Sequence, residues 1–281
     1  GLATDAAAVE VVTRDATPWT VPRGAGSVRL LDSTEVNEVV PALYERVARW
    51  RVGSLSRPEW WWPWILREAT EPTTTRTGKG SFVAVHTDAD GVDDGYVFYD
   101  VDWDESFATN PTGTGDVRDL WGASPAVETE LWRHLLGIDL VTTWRAGMRP
   151  VDEPVRRAMH DSRAYQARQR IDDQWVRILD VDAALGARTY RPVDAPVSIT
   201  VHDPMFSSNC ATWSITGSGA RRVDEPADIT VDIATLSTAH LGAVPWHDLA
   251  ATGTVDAGED VLDRLDDLFA VRPTPFCGTG Y

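Results

Sequence analysis

Ser81-Phe82-Val83-Ala84-Val85-His86 and Gly95-Tyr96-Val97-Phe98-Tyr99-Asp100-Val101, joined by Asp88-Ala89-Asp90-Gly91-Val92-Asp93-Asp94, decide the fold. Two runs of β-branched and aromatic residues on either side of a turn-forming stretch predict a hairpin. Residues 116–121 read as a further strand. Ser124-Pro125 then opens a helix whose Val127, Leu131, Leu135 and Ile138 share one face. The chain returns as a strand over residues 141–144. Upstream, residues 9–12 and 28–31 are strand-like, separated by a turn-rich linker. Asp32 with Glu35 marks a helix start, and Val36, Val39, Val40, Leu43, Val47 and Trp50 line one helical face, with Pro41 predicting a kink or a division into two helices. Strands around a few helices in mixed order predict an α+β layer domain.

A second such unit follows the Arg- and Gln-bearing stretch 164–170. Strands are predicted over residues 175–179, 197–201, 211–216 and 228–233, with helices over 182–187, 234–241, 245–251 and 259–269. The chain ends on Arg272-Pro273-Thr274-Pro275-Phe276-Cys277-Gly278-Thr279-Gly280-Tyr281, stiff and then hinged, with an aromatic residue last. That composition suits a tethered tail, either covering an apolar edge or reaching into a pocket.

The balance of 43 acidic against 26 basic residues gives a net charge of −17, and Lys79 is the single lysine. Phosphate-binding surfaces need basic stripes, so nucleic acid is excluded as a partner and polycationic small molecules are favoured. Cys210 and Cys277 form no metal-ligand spacing, leaving one disulfide or two free thiols. Neither an apolar run of membrane-spanning length nor a signal peptide is present, which predicts a soluble, cytoplasmic protein without a membrane partner.

The aspartates of residues 88–94 invite a calcium loop, but Val92 stands where the loop signature needs an oxygen ligand, so a solvated hairpin turn is favoured. No catalytic histidine pair and no nucleophile elbow accompany the six histidines. Arg23-Gly24-Ala25-Gly26 leads into a strand rather than a helix, so it is not a phosphate cradle. Asp100, Asp102, Asp104 and Glu105 flank Trp103, while Asp172 and Asp173 precede Trp175. An aromatic face beside carboxylates suits an amine, and a solvated strand end has the same composition.

Pro41-Ala42-Leu43-Tyr44-Glu45-Arg46, Gly53-Ser54-Leu55-Ser56-Arg57-Pro58-Glu59-Trp60-Trp61 and Gly95-Tyr96-Val97-Phe98-Tyr99 resemble the central region of the enhanced intracellular survival (Eis) family of N-acetyltransferases. So do Leu131-Trp132-Arg133 and Ile138-Asp139-Leu140. Trp175-Val176-Arg177-Ile178-Leu179-Asp180-Val181, with Ala183-Ala184-Leu185 and Ala187-Arg188-Thr189-Tyr190, resembles the start of that family's last domain, and Cys277-Gly278-Thr279-Gly280-Tyr281 its end.

The resemblance implies a degenerate GNAT-like acetyltransferase domain over residues 27–165 and a sterol-carrier-like domain over 166–281. Residues 1–26 would be the end of an absent N-terminal GNAT domain and a linker. Acetyl-CoA would bind mainly in that absent domain, which a separate chain could carry. The implied activity is N-acetylation of polyamine or aminoglycoside-like substrates by a homo-oligomer, a closed hexamer in the family. The carboxylate of Tyr281 would assist at the amine, with Trp60, Trp61, Trp103, Asp173 and Trp175 as substrate contacts. An α-carboxyl of pKa about 3.3–3.7 is a weak base, so orientation and charge weigh above proton abstraction. The alternative is a non-enzymatic protein that holds an apolar ligand in its sterol-carrier-like half.

Overall fold

A computed structural model describes residues 1–17, 19–70, 78–104 and 112–280. It divides into two compact units, one of residues 6–171 and one of residues 1–5 with 172–280. Glu105 and Tyr281 lie outside the described residues.

The larger unit is built on a sheet in the order β2-β3-β4-β5-β6-β1-β7. The strands are β1 (Leu2–Val12), β2 (Ser27–Leu30), β3 (Gly78–Thr87), β4 (Asp93–Trp103), β5 (Gly113–Gly122), β6 (Val141–Pro150) and β7 (Tyr165–Trp175). The predicted hairpin forms β3 and β4, with Val83 opposite Phe98. Its turn is folded by the Asp88 carboxylate, which accepts the N–H groups of Asp90 at 2.9 Å and Val92 at 2.8 Å. Helix α1 (Val36–Val47) runs through Pro41 as a single element. Helix α2 (Pro125–Leu136) starts on a Ser124 cap and buries Val127, Leu131 and Leu135, as their spacing requires. It carries the chain from β5 to β6, which pair in parallel, the crossover that parallel neighbours need. Both Gly95 and Gly122 lie under the start of α2; a Cβ on Gly95 would stand 2.5 Å from the Val127 side chain.

The smaller unit has a second sheet, β10-β9-β8-β11, from β8 (Val197–His202), β9 (Ala211–Thr216), β10 (Gly219–Val223) and β11 (Ile229–Asp232). Helices α3 (Val181–Ala187), α4 (Ile233–Ala239), α5 (Trp246–Ala251) and α6 (Glu259–Phe269) complete it. Leu262, Leu265 and Leu268 of α6 join Trp213, Ile199 and Trp246 in its core. Neither cysteine is in a disulfide; Cys210 is exposed and Cys277 buried.

Two elements depart from the sequence expectation. Residues 176–179, expected as a strand, carry none; β7 ends at Trp175 instead. The Gly1 amine and carbonyl bond the Val176 backbone there. β7 itself was masked by its composition, since residues 167–170 are all exposed and 168–170 are polar.

Candidate functional site

In the smaller unit Asp173 and the C-terminal segment come together. Asp173 Oδ2 accepts the Cys277 N–H at 2.7 Å and the Thr4 hydroxyl at 2.9 Å, and Oδ1 accepts the Gly278 N–H at 3.1 Å. Successive backbone N–H groups converge on one carboxylate, an arrangement helped by Gly278 at φ 59°. Phe276, Cys277 and Thr279 are buried. The tail is therefore held to within two residues of the chain's last position. Trp175 stands 65% exposed, and its indole N–H donates to Asp172 at 3.2 Å.

In the larger unit three adjacent tryptophans point different ways. Trp62 is buried, with its ring centroid 5.3 Å from that of Tyr44, which in turn meets Trp121 edge-on at 5.3 Å. Trp60 is 74% exposed and tilts over Trp61 with centroids 5.9 Å apart. Arg57 fixes this segment. Its guanidinium forks onto Asp119, with the second arm at 3.3 Å, and lies 4.0 Å over the Tyr44 ring and 5.2 Å from Trp62. Burial works against the Arg57 charge, and Asp119 beside it outweighs that and raises the pKa. Asp119 also accepts from Tyr96 at 2.6 Å and Trp121 at 2.8 Å. Trp103, at the far end of β4, is half-buried against the main core and packs on Gly113.

A coenzyme pyrophosphate needs free N–H groups at a helix start. The start of α2 does not fit one. Pro125 has no N–H, and the Val127 N–H goes to the Ser124 hydroxyl at 3.4 Å. Glu128 places a buried carboxylate in the same turn, with Arg149 at 3.7 Å and Arg51 at 3.8 Å. Arg149 donates further to Glu153 and to the Leu120 carbonyl at 2.8 Å, so an ionic cluster fills the space between the ends of β5 and β6. Burial dominates at Glu128 and raises its pKa to about 7, although both arginines pull it down.

That shift has a measurable consequence. Between about pH 4.5 and 7 the folded chain keeps a proton on Glu128 that the unfolded chain releases, so stability falls as pH rises through that window. Glu128→Gln is expected to be near neutral at pH 5 and to stabilise at pH 8, by up to about 3 kcal/mol. Urea unfolding at the two pH values checks this; destabilisation at pH 8 would contradict it.

Among the sequence-derived candidates, the structure pairs Trp60 with Trp61 and joins Asp173 to the tail. Sequence reasoning missed Arg57 and Asp119 as the anchor of the tryptophan segment. The one local signal was an arginine directly ahead of Pro58.

Two family profiles match the chain: an acetyltransferase (GNAT) domain over residues 53–178 and a sterol carrier protein domain over residues 181–278. An uncharacterised N-acetyltransferase of Streptomyces avermitilis is 33% identical over 92% of this chain and 62% of its own length. The N-acetyltransferase Eis of Mycobacterium tuberculosis is 30% identical over 88% of this chain and 58% of its own. The chain thus spans about three fifths of the length of the curated relatives it matches. The crystal structure of Eis1 from Mycobacterium abscessus superposes with a TM-score of 0.88 at 34% identity, covering 100% of this chain and 69% of that one. A GCN5-related N-acetyltransferase from Anabaena variabilis, 16% identical with a TM-score of 0.77 over 100% of this chain and 68% of that one, shares the fold. Together the two domain matches, in this order, and the close superposition on Eis1 place the chain in the Eis family of GNAT-fold N-acetyltransferases.

Proposed function

We propose that this chain serves acetyl-CoA-dependent N-acetylation of amines on polycationic small molecules, aminoglycosides among them, and that the coenzyme's pyrophosphate is held outside the start of α2. The carrying observation is the Asp173 latch on the Cys277 and Gly278 N–H groups. A chain end without a role needs no buried carboxylate to hold it. Family membership and the net charge of −17 support the same reading.

In this proposal the Tyr281 carboxylate acts first by binding and orienting the ammonium, and only secondarily by receiving its proton, directly or through water. Trp60 and Trp61 offer ring faces to the cation. Asp173 acts through the tail it positions. Trp103 of the larger unit and Trp175 of the smaller unit are each proposed as an aromatic face for a substrate amine. The reading also carries a closed hexamer, which light scattering of the protein in solution checks.

The test is coenzyme A thiol release from acetyl-CoA with an aminoglycoside acceptor. It is run on this chain alone and with an N-terminal acetyltransferase domain of a family member supplied. Release is expected only with that domain. Trp60→Ala should then raise KM about tenfold, a cation–π contact's share, with kcat changed less. Equal release by the chain alone would overturn the placement of the coenzyme. No release under either condition would overturn the enzyme reading and favour an apolar ligand of the sterol-carrier-like unit.

A further inference from the structure

A cavity of about 690 Å³ lies wholly in the larger unit. Its walls come from Val21, Pro22, Gly24 and Ala25, the β3–β4 turn, the start of α2, and Pro154, Arg157 and Ala158. Its volume falls in the range of cavities that take drug-sized ligands. Neither Trp60 nor Trp61 lines it.

His86 is its most telling residue. The residue is 4% exposed, deep for a histidine, and it lines the cavity. Its Nδ1 lies 2.5 Å from Asp94 Oδ1. An ionised carboxylate can only accept, so Nδ1 carries the proton, and in the neutral ring Nε2 presents a lone pair. That nitrogen has no hydrogen-bond partner among the described residues. Gly26 keeps it uncovered: at φ 97° a Cβ there would stand 3.0 Å from Nε2 and 2.3 Å from the Thr87 carbonyl oxygen. Nε2 is not sealed from solvent, so a donor entering the cavity can reach it.

The charge around His86 is one-sided. Asp88, Asp90, Asp94 and Glu130 line the cavity against Arg157. Glu130 is committed, accepting the Gly24 N–H at 2.9 Å and facing Arg133 at 3.3 Å. Asp88 folds the hairpin turn by accepting the Asp90 and Val92 N–H groups. Three aspartates thus face one arginine, and a cleft with low-dielectric walls concentrates that field. The rest of the wall is apolar, from Val21, Pro22, Pro125, Ala126 and Val127. No group among the described residues is arranged to hold a metal ion, and a bare cation would leave the apolar wall unused.

We propose that this cavity is a binding site for a small protonated amine with an apolar body. The Asp94–His86 pair and the aspartates of the turn take the ammonium, and the proline and valine wall takes the body. The ammonium donates to Nε2 in place of water, while the carboxylates offset its charge. The site stands apart from acetyl transfer and holds whether or not this chain serves an acetyltransferase.

Isothermal titration of the chain at pH 7 with 1-adamantylamine, 1-adamantanol and 1-adamantanecarboxylate tests it, because the three probes share one apolar body. The amine is expected to bind at least tenfold more tightly than the alcohol, with no binding of the carboxylate, and more weakly as salt rises. Asp90→Asn should weaken the amine threefold to tenfold. Ala126→Trp fills the cavity from an exposed helix position, and should abolish binding with the unfolding midpoint retained. No heat with the amine at millimolar concentration, equal affinity for amine and alcohol, or full binding by Ala126→Trp would each overturn the proposal.

Discussion

Asp173→Ala is expected to release the C-terminal segment, raising amide hydrogen exchange at Cys277 and Gly278 about a hundredfold. Each hydrogen bond to a charged acceptor contributes about 1.5–3 kcal/mol, and both N–H groups lose theirs at once. The Thr4 hydroxyl loses its partner as well. Asp173→Asn should be nearly as damaging, because an amide turns an NH2 group toward donors where the carboxylate offered only acceptors. If the tail acts in acetyl transfer, both variants lower kcat by two orders of magnitude or more, and the fold of the larger unit is untouched. Protection at residues 277 and 278 that survives Asp173→Ala would show that the buried Phe276 holds the tail by itself.

Arg57→Met is expected to destabilise the larger unit by about 3–5 kcal/mol, the usual cost of breaking a buried ion pair from one side. Asp119 would keep the Tyr96 and Trp121 donors and lose its countercharge. Tyr44 and Trp62 would lose the guanidinium between them. Arg57→Lys should recover less than half, since an ammonium can neither fork onto the carboxylate nor stack on the rings. The unfolding midpoint should fall by about 10 °C on that scale, and Trp60 with Trp61 should lose their fixed pairing, visible as a change in near-ultraviolet circular dichroism. A loss under 1 kcal/mol would mean that Arg57 is incidental to the segment.

Local periodicity made much of this fold legible. Val127, Leu131 and Leu135 mark α2 because one apolar face is all that helix has. The Asp- and Gly-rich turn marks the hairpin for the same local reason. What stayed hidden is long-range. β1 is alanine-rich over its first half, so its strand character emerges from pairing with β6 rather than from propensity. β7 carries its solvent face in arginine and glutamine, with no alternation to read. Asp173 and Cys277 are 104 residues apart, and nothing at either position announces the other. His86 lies eight residues before Asp94, and closing of the hairpin brings that carboxylate to its ring.

Thiol release from acetyl-CoA with an aminoglycoside acceptor, measured with the N-terminal acetyltransferase domain supplied and compared with and without Tyr281, tests the account most directly. Deleting that single residue moves the carboxylate onto Gly280 while Asp173 still holds Cys277 and Gly278, so the latch stays and the proposed reacting group shifts. A fall of at least a hundredfold in kcat is expected, with the unfolding midpoint unchanged. Undiminished turnover after the deletion would contradict it and leave the tail a structural strap.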